Sequence, residues 1–198
     1  MRESEFLLDR ETKQIIMKKK SIFIITVVLL LISRSFDFIT TYLYTPDLAK
    51  EGNPIVKYFG SGWEIMIIIT IILLAVVVYC FYLDCFKREK IITENKLSFK
   101  EFIPYFLFGK QEKFSAIFYK TVKRKPFLRL LGYLVTYTLI VVGFMIGTST
   151  TFLIISEKYR KIYNPKIYIV SFVLFALFFY YKFFRKEYKY YCKNLDNK

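Results

Sequence analysis

Four long apolar runs divide the chain, and each is close to the length that crosses a lipid bilayer. They cover residues 21–44, 65–83, 130–155 and 167–184. A helix rises about 1.5 Å per residue, so about 20 residues cross the roughly 30 Å hydrocarbon core of a membrane. The pattern predicts an all-α integral membrane four-helix bundle, arranged as two helical hairpins within a single domain over residues 21–184.

Polar segments flank these runs and predict the tails and the loops. Residues 1–20 and 185–198 predict an N-terminal and a C-terminal tail, and residues 85–127 predict one long basic loop. Within that loop, Ser98 and Glu101 fit a capping box, and the following FIPYFLFGK is too short to span a membrane. It predicts an interfacial helix or a re-entrant segment. The next stretch, FSAIFYKTVKRK, predicts an amphipathic surface helix because basic and apolar residues are interleaved.

The basic residues indicate how the spans are oriented. There are 6 Lys and Arg in residues 1–20 and 12 in residues 85–130, against 2 in residues 45–62 and 4 in residues 156–166. Segments rich in Lys and Arg stay in the cytoplasm. We therefore expect a multi-pass protein of the cell membrane with both termini and the long loop cytoplasmic.

The net charge of +15 favours an anionic binding partner. Most of the charge lies beside the ends of the apolar runs, as in contact with membrane lipids, and we expect anionic headgroups to bind the long inner loop. A nucleic-acid partner is not expected, because the basic residues do not form the concentrated patch of such proteins. Histidine is absent and the three cysteines lack the spacing of a zinc site. The sequence predicts no metal site, no cofactor and no catalytic residue.

A polar stripe interrupts the first apolar run near its end. Three- and four-residue spacing places five polar residues on one side of a helix: Ser33, Asp37, Thr40, Thr41 and Tyr44. Arg34 precedes Asp37 by three residues and can pair with it. Charged residues inside a membrane are costly and face the bundle, where they mark ligand or ion sites or lock helices together. Both interpretations stay open for this pair.

The segment after the first span adds two polar candidates. Glu51 and Asn53 precede Pro54, and the Asn-Pro pair is typical of a helix start. We predict that Glu51 and Asn53 cover an outward-facing ligand-binding cluster whose floor is the polar stripe of the first span.

Small residues recur along the third span. Gly143, Gly147 and Thr151 are spaced by four residues and form a ridge that lets another helix approach closely. Asp37 lies about 24 Å and Gly147 about 25 Å from the inner ends of their spans, so the ridge can receive the first span at the level of the polar stripe. It equally predicts association with a second copy or with another membrane protein.

The two halves of the chain share a further pattern. Residues 40–43 read TTYL and residues 150–153 read TTFL, and each is followed by Asn-Pro, at 53–54 and 164–165. Parallel helical repeats of this kind occur in transporters. Chance remains the alternative, because Thr near a helix end and Asn-Pro at a helix start are both common.

The run R-x-x-D-x-x-T-T at residues 34–41, followed by E-x-N-P at residues 51–54, resembles a group of small bacterial multi-pass membrane proteins known only as domains of unknown function. The resemblance covers about 30 residues and implies a four-helix membrane protein, without an activity.

Three functions stay open on these observations. The first is a non-enzymatic membrane protein that binds a small ligand, an ion or a membrane partner at the outward-facing cluster. The second is a membrane-embedded enzyme acting on a lipid or isoprenoid, with Asp37 and Glu51 as acid and base. The third is a scaffold that associates through the glycine ridge. An enzyme is the less favoured class, since no nucleophile and base stand together.

Overall fold

The computed structural model describes residues 2–48, 62–89, 91, 93 and 96–196. The described residues are helical or irregular, and they contain no strand. The helices are α1 (Arg2–Tyr44), α2 (Trp63–Phe86), α3 (Phe99–Phe108), α4 (Arg124–Ile155), α5 (Glu157–Ile162) and α6 (Lys166–Asp196), with a 3₁₀ turn at Phe114–Phe118.

Four of these helices contain a segment long and apolar enough to cross a membrane. Among the described residues the segments are Ile16–Tyr44, Trp63–Phe86, Arg124–Ile155 and Lys166–Leu195. Their outward surfaces are apolar, since Ile68, Ile72 and Leu174 are among many large aliphatic side chains that are more than half exposed. Such a surface is suited to a lipid environment. The prediction of an all-helical membrane protein with four spans is confirmed by length and composition.

Helix α4 occupies the centre of the bundle. It contacts α1, α2 and α6, whereas α1 contacts α2 much less extensively. Helices α1 and α4 end at one side of the bundle, where α2 and α6 begin. We call this side the Tyr44 end. The opposite side, where α2 ends near residue 84 and α4 begins, is the Asp84 end.

Small side chains explain the close approach of α1 and α4. The buried residues of α1 recur at intervals of four and three, and are Thr26, Leu30, Ser33, Asp37 and Thr40. Facing them, a Cβ added to Gly143 would lie 3.1 Å from the Ser33 carbonyl oxygen, and one added to Gly147 would lie 2.5 Å from the ring of Phe36. Bundles in membranes obtain much of their stability from such close backbone packing.

Helices extend further at the Asp84 end than the sequence predicts. Helix α1 continues through residues 2–20, and α6 continues through residue 196, where two tails were expected. Neither segment contains Gly or Pro. Residues 2–20 are rich in Lys, Glu and Leu and residues 185–196 in Lys, all of which favour helix. The boundary of a membrane span therefore does not coincide with the end of its helix.

The segment between α2 and α4 folds against α6. The predicted capping box begins α3, with the Ser98 N–H donating to Glu101 Oε2 at 2.9 Å, and Gly109 ends it with φ of 73°. The Ser98 hydroxyl also donates to Glu101 Oε2, at 2.7 Å, and this bond together with that from the Ser98 N–H holds the pKa of Glu101 below its ordinary value. A shared aromatic core then joins α3 to α6, and includes Phe102, Phe106, Phe183, Phe184 and Tyr191.

This core changes the interpretation of the segment. The predicted interfacial helix exists as α3, but most of its apolar side chains are buried against protein. The predicted surface helix over FSAIFYKTVKRK is wrong, since it forms only the 3₁₀ turn at Phe114–Phe118 before α4 begins. Burial of Ala116 and a hydrogen bond from the Lys123 N–H to the Leu107 carbonyl (2.9 Å) fold the segment back on α3 instead.

Candidate functional site

A large crevice opens at the Tyr44 end between α1, α2, α4 and α6. Its volume is about 1000 Å³. Its walls are mostly aliphatic, from Ile67, Ile71 and Leu74 of α2 and Leu153 of α4. Its polar lining includes Arg34, Asp37, Thr41, Thr70, Thr150 and Tyr168. We call this cavity the Tyr44-end crevice.

An ion pair lies on its α1 wall. Arg34 Nη1 and Asp37 Oδ2 are 3.0 Å apart, and the side chains are 27% and 11% exposed. One turn of helix separates the two residues, so α1 itself sets this geometry. Removing both charges from water is costly, and the pair offsets part of that cost while leaving the Arg34 guanidinium accessible from the crevice.

The two threonines of the stripe differ in their surroundings. The Thr40 hydroxyl is buried and donates to the carbonyls of Phe36 (2.9 Å) and Asp37 (3.0 Å). Such a hydroxyl is satisfied within its own helix. Thr41 instead lines the crevice. The structure thus brings Arg34, Asp37 and Thr41 to one wall and places Thr40 behind it. Glu51 and Asn53 lie outside the described residues, and their role as a cover stays a prediction.

Trp63 fixes the adjoining rim. Its Nε1–H donates to the Pro46 carbonyl at 2.6 Å, and its ring packs edge-on against Phe38 and Tyr42, with centroids 5.0 and 5.2 Å away. The start of α2 is thereby held beside the end of α1. An aromatic residue with a polar N–H is typical of this position at a membrane interface.

On the opposite rim, a hydroxyl cluster joins α4 to α5 and α6. Ser149 Oγ lies 2.7 Å from the Tyr159 hydroxyl, and the Tyr168 hydroxyl donates to Ser149. Arg160 donates to the carbonyls of Leu153 (2.6 Å) and Ile154 (2.8 Å), which satisfies the end of α4. The spacing of these Ser and Tyr residues in the sequence does not predict that their hydroxyls contact one another.

The glycine ridge of α4 is occupied within the chain. Gly143 and Gly147 are buried against α1, and the Thr151 hydroxyl donates to the Gly147 carbonyl at 2.8 Å. Thr148, the residue after Gly147, lies on the exposed side of α4. The ridge therefore aligns α1 and brings its polar stripe to the crevice.

A second polar cluster, which the sequence pattern did not predict, lies at the Asp84 end. Arg129 donates to Glu187 at 2.6 Å, Lys186 donates to Asp84 at 2.7 Å, and Arg88 lies 3.3 Å from Glu187. Asp84, Arg129 and Glu187 are only 1%, 4% and 3% exposed. The sequence did contain one signal for this cluster: Asp84 and Glu187 are carboxylates beside the ends of two spans, within otherwise basic segments.

No protein-family model, curated protein or solved structure matches this chain. The likeness of residues 34–54 to uncharacterised bacterial membrane proteins accordingly stays a prediction. Among the described residues, no group of three His, Cys, Asp or Glu side chains is placed to hold a metal ion.

Proposed function

We propose that this multi-pass membrane protein binds a small amphipathic ligand in the Tyr44-end crevice. The observation that carries the proposal is a cavity of about 1000 Å³ with aliphatic walls and an ion pair, Arg34–Asp37, on one of them. Ligand sites are generally concave and mostly apolar, with a few polar groups that fix orientation.

The crevice suits a ligand that arrives from the bilayer. Ile39 and Ile71 at its margin are 57% and 60% exposed, on surfaces that face lipid. An apolar molecule can pass over these side chains without crossing a polar barrier. Its polar group then meets Arg34 and Asp37, and its apolar part lies against Ile67 and Leu74.

The charge of the pair sets the chemistry of the polar group. Arg34 presents several N–H donors, and Asp37 presents carboxylate oxygens that accept. A hydroxyl, amide or zwitterionic group satisfies both, whereas a lone charge satisfies one and opposes the other. We therefore propose a neutral or zwitterionic lipid-like molecule. In the membrane orientation that the Lys and Arg distribution favours, the crevice opens toward the outside of the cell.

No observation favours the other two functions over binding. Association through the glycine ridge would require a helix to displace α1 from Gly143 and Gly147. Acid–base catalysis would require Glu51, which lies outside the described residues, to meet Asp37.

Thermal unfolding in a neutral detergent tests the proposal. Wild type, Asp37→Asn and Glu64→Gln are heated with and without total bacterial lipid extract. Glu64 is an exposed carboxylate at the same end and does not line the crevice, so its substitution is the matched control. We expect the extract to raise the unfolding temperature of wild type and Glu64→Gln, and to raise that of Asp37→Asn less.

The result separates binding from structural support. If Asp37→Asn is less stable than wild type by the same amount with and without the extract, the ion pair only locks α1, and the proposal fails. If the shift is lost selectively in Asp37→Asn, fractionation of the extract identifies the ligand.

A further inference from the structure

A second cavity, of about 390 Å³, lies at the Asp84 end between α1, α2, α4 and α6. Four cationic side chains line it, and they come from three separate parts of the chain: Lys18 and Lys19 from α1, Arg88 after α2, and Lys186 from α6. Among the described residues that line it, Asp84 is the one carboxylate. We call this cavity the basic cavity.

The charges of the basic cavity are only partly neutralised within the protein. Lys186 is committed to Asp84, at 2.7 Å, and its ammonium lies 4.3 Å from the centre of the Tyr133 ring. Arg88 shares Glu187 with the buried Arg129, and the Arg88 Nε atom is buried without a hydrogen-bond partner among the described residues. Lys18 and Lys19 add two more positive charges. Like charges gathered in one cavity repel, so an anion bound there is favoured.

The position of the basic cavity matches the phosphate layer of a membrane. Asp84 lies about 32 Å along α2 from Trp63, and Lys19 lies about 37 Å along α1 from Tyr44. The hydrocarbon core is roughly 30 Å thick, so the basic cavity lies just beyond it when Trp63 marks the opposite interface. Its remaining walls include Ile22 and Phe81, which belong to the apolar spans.

We infer that the basic cavity binds a phosphate group, presented by an anionic phospholipid of the adjoining leaflet. Lys18, Lys19 and Arg88 contact the phosphate, and the acyl chains lie along the apolar surface that begins at Ile22, which is 44% exposed. Lys186 stays paired with Asp84, and its nearby positive charge adds to the attraction for the phosphate. This site differs from the long inner loop where the sequence placed headgroup contact, because its cations surround a cavity on the bundle itself.

The test compares two pairs of lysines on the full chain in neutral detergent. Lys18→Gln with Lys19→Gln removes two charges from the basic cavity. Lys96→Gln with Lys100→Gln removes two exposed charges at the same end that do not line it. Native mass spectrometry and thermal unfolding measure binding of phosphatidylglycerol and of phosphatidylcholine, which carry the same acyl chains. A third arm replaces the lipid with inorganic phosphate.

We expect wild type to prefer phosphatidylglycerol, and the Lys18 and Lys19 double variant to bind it roughly tenfold more weakly, since each lysine near an anionic surface contributes several-fold. The Lys96 and Lys100 double variant should keep most of the preference. Unfolding temperatures in phosphatidylcholine should match wild type, because neither Lys18 nor Lys19 forms an ion pair with another described residue.

Two outcomes identify the source of the phosphate, and one overturns the site. No effect of inorganic phosphate, together with the expected lipid result, assigns the headgroup of a lipid. A shift by inorganic phosphate that depends on Lys18 and Lys19 assigns free phosphate to the same site. If both double variants lose the phosphatidylglycerol preference equally, or neither loses it, the attraction is a general property of the basic surface and the inference is wrong.

Discussion

At the scale of single residues, the charges buried at the Asp84 end have a large desolvation cost. Arg129 is 4% exposed and meets Glu187 at 2.6 Å, with its guanidinium also 5.5 Å from the centre of the Phe106 ring. A buried ion pair has a small net effect on stability, because desolvation opposes attraction. Removing Glu187 is different, since Arg129 then stays buried with only the more distant Asp84, at 3.7 Å, to offset its charge.

We predict that Glu187→Ala destabilises the protein by about 3–5 kcal/mol, the range for breaking a buried pair. The matched control is Glu89→Ala at the same end, where Glu89 is 58% exposed and pairs with Lys125, itself 79% exposed. Exposed pairs contribute about 0–1 kcal/mol. Denaturant unfolding of both variants in detergent measures the difference. Equal stability of the two variants would show that water reaches Arg129 and that the cluster is solvated.

At the scale of helices, glycine determines how closely α4 approaches its neighbours. A Cβ added at Gly132 would overlap the backbone of Cys80 and Phe81 in α2. At Gly147 the nearest atoms belong to the Phe36 side chain, which can rotate. In an unhindered helix, alanine is more favourable than glycine by roughly 0.5–1 kcal/mol. The sign of each substitution therefore depends on whether the neighbour can move.

We predict that Gly132→Ala destabilises the bundle by about 1–3 kcal/mol, the usual cost of overpacking, because a helix backbone cannot rotate out of the way. Gly147→Ala should cost clearly less. Thermal unfolding of the two variants in the same detergent gives the ranking. A reversed ranking would mean that α2 shifts more readily than the Phe36 ring, and that the α2–α4 contact is the looser one.

The presence of a helix can be predicted from the sequence more directly than the residues that pack around it. The four spans and the capping box of Ser98 depend on local spacing, and both are recovered by the structure. The burial of α3 depends on Phe183 and Tyr191, about 80 residues later in the chain. A pairing so distant leaves no local signal, so FIPYFLF was interpreted as an interfacial segment.

The same reason explains the unequal prediction of the two polar clusters. Arg34 and Asp37 are neighbours on one helix, and their pairing can be seen in the sequence. Asp84, Arg129 and Glu187 belong to three helices and meet only when α4 lies in the centre of the bundle. A count of Lys and Arg in each segment predicts topology, but it cannot show which charges from different segments meet.

At the scale of the whole molecule, two cavities with different chemistry lie at opposite ends of one bundle. The Tyr44-end crevice is largely aliphatic with a balanced ion pair, and the basic cavity carries an excess of positive charge. Arg129 and Thr150 mark the two levels on α4, about 32 Å apart along the helix. Sites this distant act independently unless a shared element moves. Changes in one cavity should leave the other unaffected.

A substitution that changes side-chain size but not charge tests whether the two cavities act independently. Thr70 of α2 lines the Tyr44-end crevice, whereas Thr148 of α4 is exposed and does not line it. Some fractions of the total lipid extract are expected to stabilise wild type but not Asp37→Asn. We predict that Thr70→Trp abolishes this stabilisation, because the indole fills part of the crevice. Thr148→Trp should leave that stabilisation unchanged, since its side chain extends toward lipid. Phosphatidylglycerol binding should stay at the wild-type level in both variants. A loss of both responses in Thr70→Trp would show that α2 transmits a change along its length, and the two cavities would then be coupled.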